Sequence, residues 1–107
     1  MDEIADDELC TVEYVYDDSG AAVIRLSGEL DTSQIEHVSR TLEPLLARKP
    51  ERVVFDMAAL SFMDSSGIAL LIQTKRQVPE LEIRNAGSPI TRVIEATGLG
   101  PEFGLAP

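Results

Sequence analysis

Two stretches near the start of the chain alternate between apolar and polar positions. In "LCTVEYVY", Leu9 to Tyr16, the residues Cys10, Val12, Tyr14 and Tyr16 share one face. In "AAVIRLS" the same holds for Ala22, Ile24 and Leu26. Both segments are rich in β-branched and aromatic residues, and "DDSG" (Asp17–Gly20) between them is turn chemistry, so they predict an antiparallel hairpin. The period then changes. Ile35, Val38, Leu42, Leu45 and Leu46 recur at helical spacing. Thr32 or Ser33 is the expected cap of that helix, with Asp31 near its positive end. Pro44 falls inside the pattern and predicts a kink or a fresh turn, because it removes the hydrogen bond to residue 40.

"RVVFDM" (Arg52–Met57) is a short, nearly continuous apolar run, which suits a strand covered on both faces. A second helix opens at "DSSG" and ends before Pro79, with Ser65 or Ser66 as its cap. "ELEIRNA" predicts a fourth strand with Leu81 and Ile83 on one side. In "GSPITRVIEATGLG", Ser88 is the expected cap, Pro89 takes the first turn, Ile90, Val93 and Ile94 form the stripe, and Gly98 ends the helix. The order is β-β-α-β-α-β-α. Alternation in its second part implies right-handed crossovers between parallel strands. The fold class expected is α/β: a mixed β-sheet with an N-terminal antiparallel hairpin and α-helices packed against it. The tail "PEFGLAP" is read as a short strand or a loose end.

The chain has 107 residues, enough for one domain. Residues 1–8 carry five carboxylates and little to bury, so they are read as a flexible acidic N-terminus, with a single domain over residues 9–107. The net charge of -10 argues against nucleic acid and anionic membrane surfaces and favours a partner with a basic surface. The lone Cys10 excludes an internal disulfide and suits a reducing compartment. No apolar run is long enough for a membrane span, and an N-terminus of "MDEIADDE" is acidic where a signal peptide is basic. A cytoplasmic location is expected.

Enzyme chemistry finds little support. A serine nucleophile needs a base, and the one histidine, His37, falls on the solvent side of its helix. One Cys and one His cannot build a structural zinc site. Glycine-rich phosphate loops of the Walker or GxGxxG type are missing. No metal or cofactor is expected. The segment "FMDSSGIALLI" (Phe62–Ile72) is the informative one. One serine suffices for a cap, yet there are two. Gly67 in a first helical turn costs up to ~1 kcal/mol against alanine, and its lack of a side chain is read as room for another backbone. The run from Ile68 to Ile72 is apolar on nearly all sides, so it is either buried or held for a partner.

"LSGELD" (Leu26–Asp31), "VVFDMAALSFMDSSGIALL" (Val53–Leu71) and "SPITRVIEATGL", in this order, resemble the STAS domain of bacterial anti-sigma-factor antagonists. The similarity runs from Leu9 to about Leu99. It implies a protein that binds a kinase-type anti-sigma factor when unphosphorylated and so releases a sigma factor. It also implies inactivation by phosphorylation of one serine, matched here by Ser65, and recovery through a serine phosphatase. The surface implied for the partner comprises Glu29, Asp31, Thr32, Ser33, Asp64, Ser65, Ser66, Gly67 and Ile68. On this reading Ser65 receives the phosphate and Ser66 is left to cap the helix. An alternative is a non-phosphorylated STAS subunit of another assembly, such as a lipid-transport ATPase. The segment after Gly98 is short for a final strand and helix.

Overall fold

In the computed structural model, residues 10–105 are described; the acidic residues 1–8, and Leu9 at the head of the first predicted strand, lie outside them. Strand β1 (Thr11–Tyr16) pairs antiparallel with β2 (Ala22–Leu30), which pairs parallel with β3 (Arg52–Met63), which pairs parallel with β4 (Glu80–Arg84). The sheet order is β1-β2-β3-β4, with helices α1 (Ile35–Ala47), α2 (Ser65–Lys75) and α3 (Ser88–Glu95) in the connections and after β4. This is the mixed α/β architecture read from the sequence. The hairpin turn is held by Asp17, whose carboxylate accepts from the Ser19 N–H, the Ser19 hydroxyl and the Ala21 N–H.

One face of the sheet carries Ala22, Ile24, Leu26, Val53, Phe55, Leu81 and Ile83, all buried against Val38, Leu42 and Leu45 of α1, Leu70 and Leu71 of α2, and Ile90 and Ile94 of α3. The alternate face is mostly polar. Arg52 and Arg84 pair there with Glu82, although Val54 is also fully buried. Both faces of β3 are thus covered over Val53–Phe55, as the continuous apolar run predicts.

Beyond Met57, the end of the apolar run, the strand continues to Met63. From Arg25 to Ser27, β2 advances two residues while β3 advances three, from Asp56 to Ala59. From Gly28 to Glu29, β2 advances one while β3 advances two, from Leu60 to Phe62. Each bulge adds a residue to β3, so its inward positions become Met57, Leu60 and Met63. Gly28, at the second shift, has φ of +96°, a conformation that favours glycine.

Several capping expectations are corrected. Asp31, and neither Thr32 nor Ser33, caps the 3-10 turn Thr32–Gln34 that leads into α1. Gly87 occupies the cap position of α3, and Ser88 is already in its first turn. Pro44 does not interrupt α1, which runs unbroken through it. Pro44 and Arg40 both lie on the exposed side, where water can replace the lost bond.

Within the described residues, up to Leu105, the tail is neither strand nor loose. Pro101–Phe103 form a 3-10 turn, Phe103 is 1% exposed within the core, and Gly104, with φ of +82°, brings the backbone against Glu82 of β4. The turn lies against β4, the last strand of the sheet. Phe103→Ala is expected to lower unfolding free energy by about 3–5 kcal/mol in a denaturant melt. A loss well below that range would show that the turn adds nothing to the core.

Candidate functional site

The parallel strands β2 and β3 end side by side. Leu30 pairs with Met63, and the next residues are Asp31 and Asp64. The Asp64 N–H donates to the Leu30 carbonyl at 3.3 Å, which joins the two turns at the backbone. Each aspartate then caps the helical turn that follows it. The Asp31 carboxylate accepts from the Ser33 N–H at 3.0 Å and the Ser33 hydroxyl at 2.6 Å. The Asp64 carboxylate accepts from the Ser66 N–H at 2.9 Å. Its main-chain carbonyl accepts from the N–H groups of Gly67 and Ile68. Burial pushes the Asp64 carboxyl up, but hydrogen bonds from Ser66 and from the Gly67 and Thr32 backbone outweigh it and hold the pKa below the usual carboxylate value. Asp64 is therefore ionised at neutral pH.

The cap of α2 is thus Asp64, not Ser65 or Ser66 as expected. Ser66 has another engagement: its hydroxyl shares a 2.6 Å hydrogen bond with the Thr32 hydroxyl, across the two turns. The Ser33 hydroxyl, besides donating to Asp31, accepts from the Gln34 side chain at 3.2 Å. Gln34 in turn is buried and accepts from the Cys10 N–H at 3.0 Å, which pins the turn to the N-terminal strand. Cys10 itself is buried, and desolvation pushes its thiol up to about 11. It is no nucleophile at neutral pH.

Of the four hydroxyls at this edge, Ser65 is the one whose oxygen makes no hydrogen bond among the described residues. Ser65 is exposed, as are Glu29, Thr32 and Ser33, while Asp31, Asp64 and Ser66 are half-buried. Gly67 and Ile68 differ from expectation because both are buried. A Cβ on Gly67 would stand 2.4 Å from Met63 Cγ and 3.1 Å from a Leu30 methyl. The glycine lets α2 approach the strand ends from inside and leaves no gap for a partner. Ile68 lies in the core with Leu70 and Leu71.

Two surface residues went unnoticed in the sequence. Phe62, three residues before Ser65, is 45% exposed, and Ala69, one turn after it, is exposed as well. A phenylalanine in the middle of an apolar run reads as core. The bulge that turns Phe62 outward has no local signature. Among the described residues no group of His, Cys, Asp and Glu is arranged to hold a metal ion. No described helix is long and apolar enough to cross a membrane.

The STAS domain family matches residues 15–107, and the chain belongs to that family. Relatives of this chain include anti-sigma factor antagonists. The anti-sigma F factor antagonist of Lysinibacillus sphaericus is 31% identical over 84 residues, covering 74% of this chain and 72% of the relative. The crystal structure of an anti-sigma factor antagonist from Mycobacterium paratuberculosis superposes with a TM-score of 0.82 at 27% identity, over 92% of this chain and 86% of that one. The Bacillus cell fate determinant SpoIIAA in its phosphorylated form superposes with a TM-score of 0.68 at 25% identity, over 91% of this chain and 92% of that one.

The capping geometry predicts that Asp64→Ala costs about 0.5–2 kcal/mol at neutral pH, while Asp64→Asn, still a cap, costs less. The pKa of Asp64 is lowered in the folded state, so its charge-dependent stabilisation is complete above the unfolded value near ~3.9 and is lost as pH falls through the folded value. Melts at neutral and acid pH should show a shallower acid loss for Asp64→Asn than for the parent. Parallel curves would remove the carboxylate from the account.

Gly67→Ala is expected to destabilise the domain by about 1–3 kcal/mol through overpacking against Met63 and Leu30. A melt as firm as the parent's would mean that Met63 swings away without cost.

Proposed function

We propose that the protein is an anti-sigma factor antagonist that binds a kinase-type anti-sigma factor while Ser65 is unmodified, and that phosphorylation of Ser65 by this partner ends the binding. The observation that carries the proposal is the Ser65 hydroxyl, exposed at the start of α2 without a hydrogen bond among the described residues. A phosphoryl acceptor must be reachable and unencumbered, and Ser65 meets both conditions. The reading is supported by relatives named as antagonists of anti-sigma factors, and by a structural neighbour, SpoIIAA, solved in unphosphorylated and phosphorylated forms.

On this reading the chain is the kinase's substrate and has no catalysis of its own. The contact surface comprises Glu29, Asp31, Thr32, Ser33 and Ser65, with Phe62 and Ala69 added as apolar contacts. Gly67 and Ile68 support it from beneath. A serine phosphatase reverses the modification, and the exchange takes place in the cytoplasm, where sigma factors act.

The switch works through charge. A phosphate adds roughly -1.5 to -2 at neutral pH. The first N–H groups of a helix ordinarily welcome an anion, but those of Ser66, Gly67 and Ile68 already donate to Asp64. Phosphate on Ser65 would instead stand beside an ionised carboxylate, with Asp31 and Glu29 on the neighbouring strand end. The added charge and bulk then disturb the fit at the contact, without refolding the domain.

Incubation with a kinase-type anti-sigma factor and ATP, followed by phosphosite mapping, tests the proposal. Phosphate is expected on Ser65, none on the Ser65→Ala variant, and undiminished binding of that variant by titration calorimetry. A folded domain that binds the kinase but takes no phosphate would favour the alternative, a STAS subunit of another assembly.

A further inference from the structure

Two adjacent serines open α2, and a kinase that reaches one has the other within a residue. The structure distinguishes them by what their hydroxyls already do. Ser66 is fixed twice: its N–H donates to the Asp64 carboxylate at 2.9 Å, and its hydroxyl shares the 2.6 Å bond with Thr32. Thr32 comes from the turn after β2, so this bond spans two elements 34 positions apart in sequence. Ser65 has no such restraint among the described residues.

Phosphoryl transfer requires the acceptor oxygen to turn toward the γ-phosphorus of ATP held by the kinase. The new bond is Oγ–P, the bond broken is that between the γ-phosphorus and the β,γ-bridging oxygen, ADP leaves, and the hydroxyl proton passes to the kinase's base. A hydroxyl held by a neighbouring side chain must first give up that bond.

We propose that Thr32 is a positioning residue that sets acceptor specificity: its hydrogen bond holds Ser66 away from the kinase and leaves Ser65 as the acceptor. The proposal rests on the reading of Ser65 as a kinase substrate. Thr32 is exposed, so its replacement leaves the core untouched.

The test uses the full chain, a kinase-type anti-sigma factor that phosphorylates the parent, ATP, and mass spectrometry that resolves the two serines. Thr32→Val keeps the shape and removes the hydroxyl. It is expected to raise the Ser66 to Ser65 phosphate ratio about tenfold, the equivalent of one hydrogen bond. Thr32→Ser, which restores the hydroxyl, should return the ratio to the parent's. This rescue would not follow if Thr32 served only to shape the turn. In a Ser65→Ala background, Thr32→Val should open Ser66 to phosphorylation that Ser65→Ala alone does not show. Phosphate confined to Ser65 in Thr32→Val, with none on Ser66 in the double variant, overturns the role of Thr32 and leaves the Ser65 reading standing. A parent phosphorylated on Ser66 instead of Ser65 overturns both.

Discussion

The parallel pairing of β2 with β3 ends at Leu30 and Met63, and in both strands the next residue is an aspartate. Every other feature of the candidate site depends on that coincidence of register. A one-residue slip would turn one aspartate toward the core and separate the two helical turns. With the register as it stands, two caps lie side by side, and two short polar side chains, Thr32 and Ser66, reach each other across them. Bulges in β3 allow the register. Paired without the bulges, β3 would place Ser61 opposite Leu30 and overrun the end of β2, and "DSSG" would not lie beside "GELD".

The same bulges explain where the sequence was hard to read. Strands with strict alternation, such as Ala22–Leu26, were legible to the residue, and so was the order of elements. Positions 58–63 were not, because inward residues three apart match neither the strand nor the helix period. Phe62 was hidden for this reason. The caps failed differently. Asp, Ser and Thr all make good caps, and "DTS" and "DSS" present three candidates in a row. Which of them serves is decided by where the strand stops, a matter of pairing with another strand and not of local preference.

Gly67 shows how a correct chemical premise can lead to the wrong side of a helix. Glycine permits close approach, but the sequence cannot say of what. Met63 and Leu30 supply the answer, since they fill the space that a methyl would take. The motif drew attention to this segment, while the place of each residue in it became visible only with the side chains around it. Ser65, Asp64 and Gly67 are consecutive or nearly so, yet one faces solvent, one caps, and one faces the core.

Those three roles together make the segment suited to a switch. An acceptor serine in a flexible loop would be accessible, but its phosphate could move away from any partner. At the start of a helix anchored by a buried glycine and by Ile68, the Ser65 position is fixed relative to the strand ends. Asp64 contributes twice. Its carboxylate satisfies the Ser66 N–H, which stabilises α2 before any modification, and in doing so takes up a donor that could otherwise help to neutralise a phosphate. A chain with a net charge of -10 has little surplus positive charge to spread against a new anion. On the proposed reading, charge added on Ser65 would stay at the surface, where an approaching partner would meet it directly.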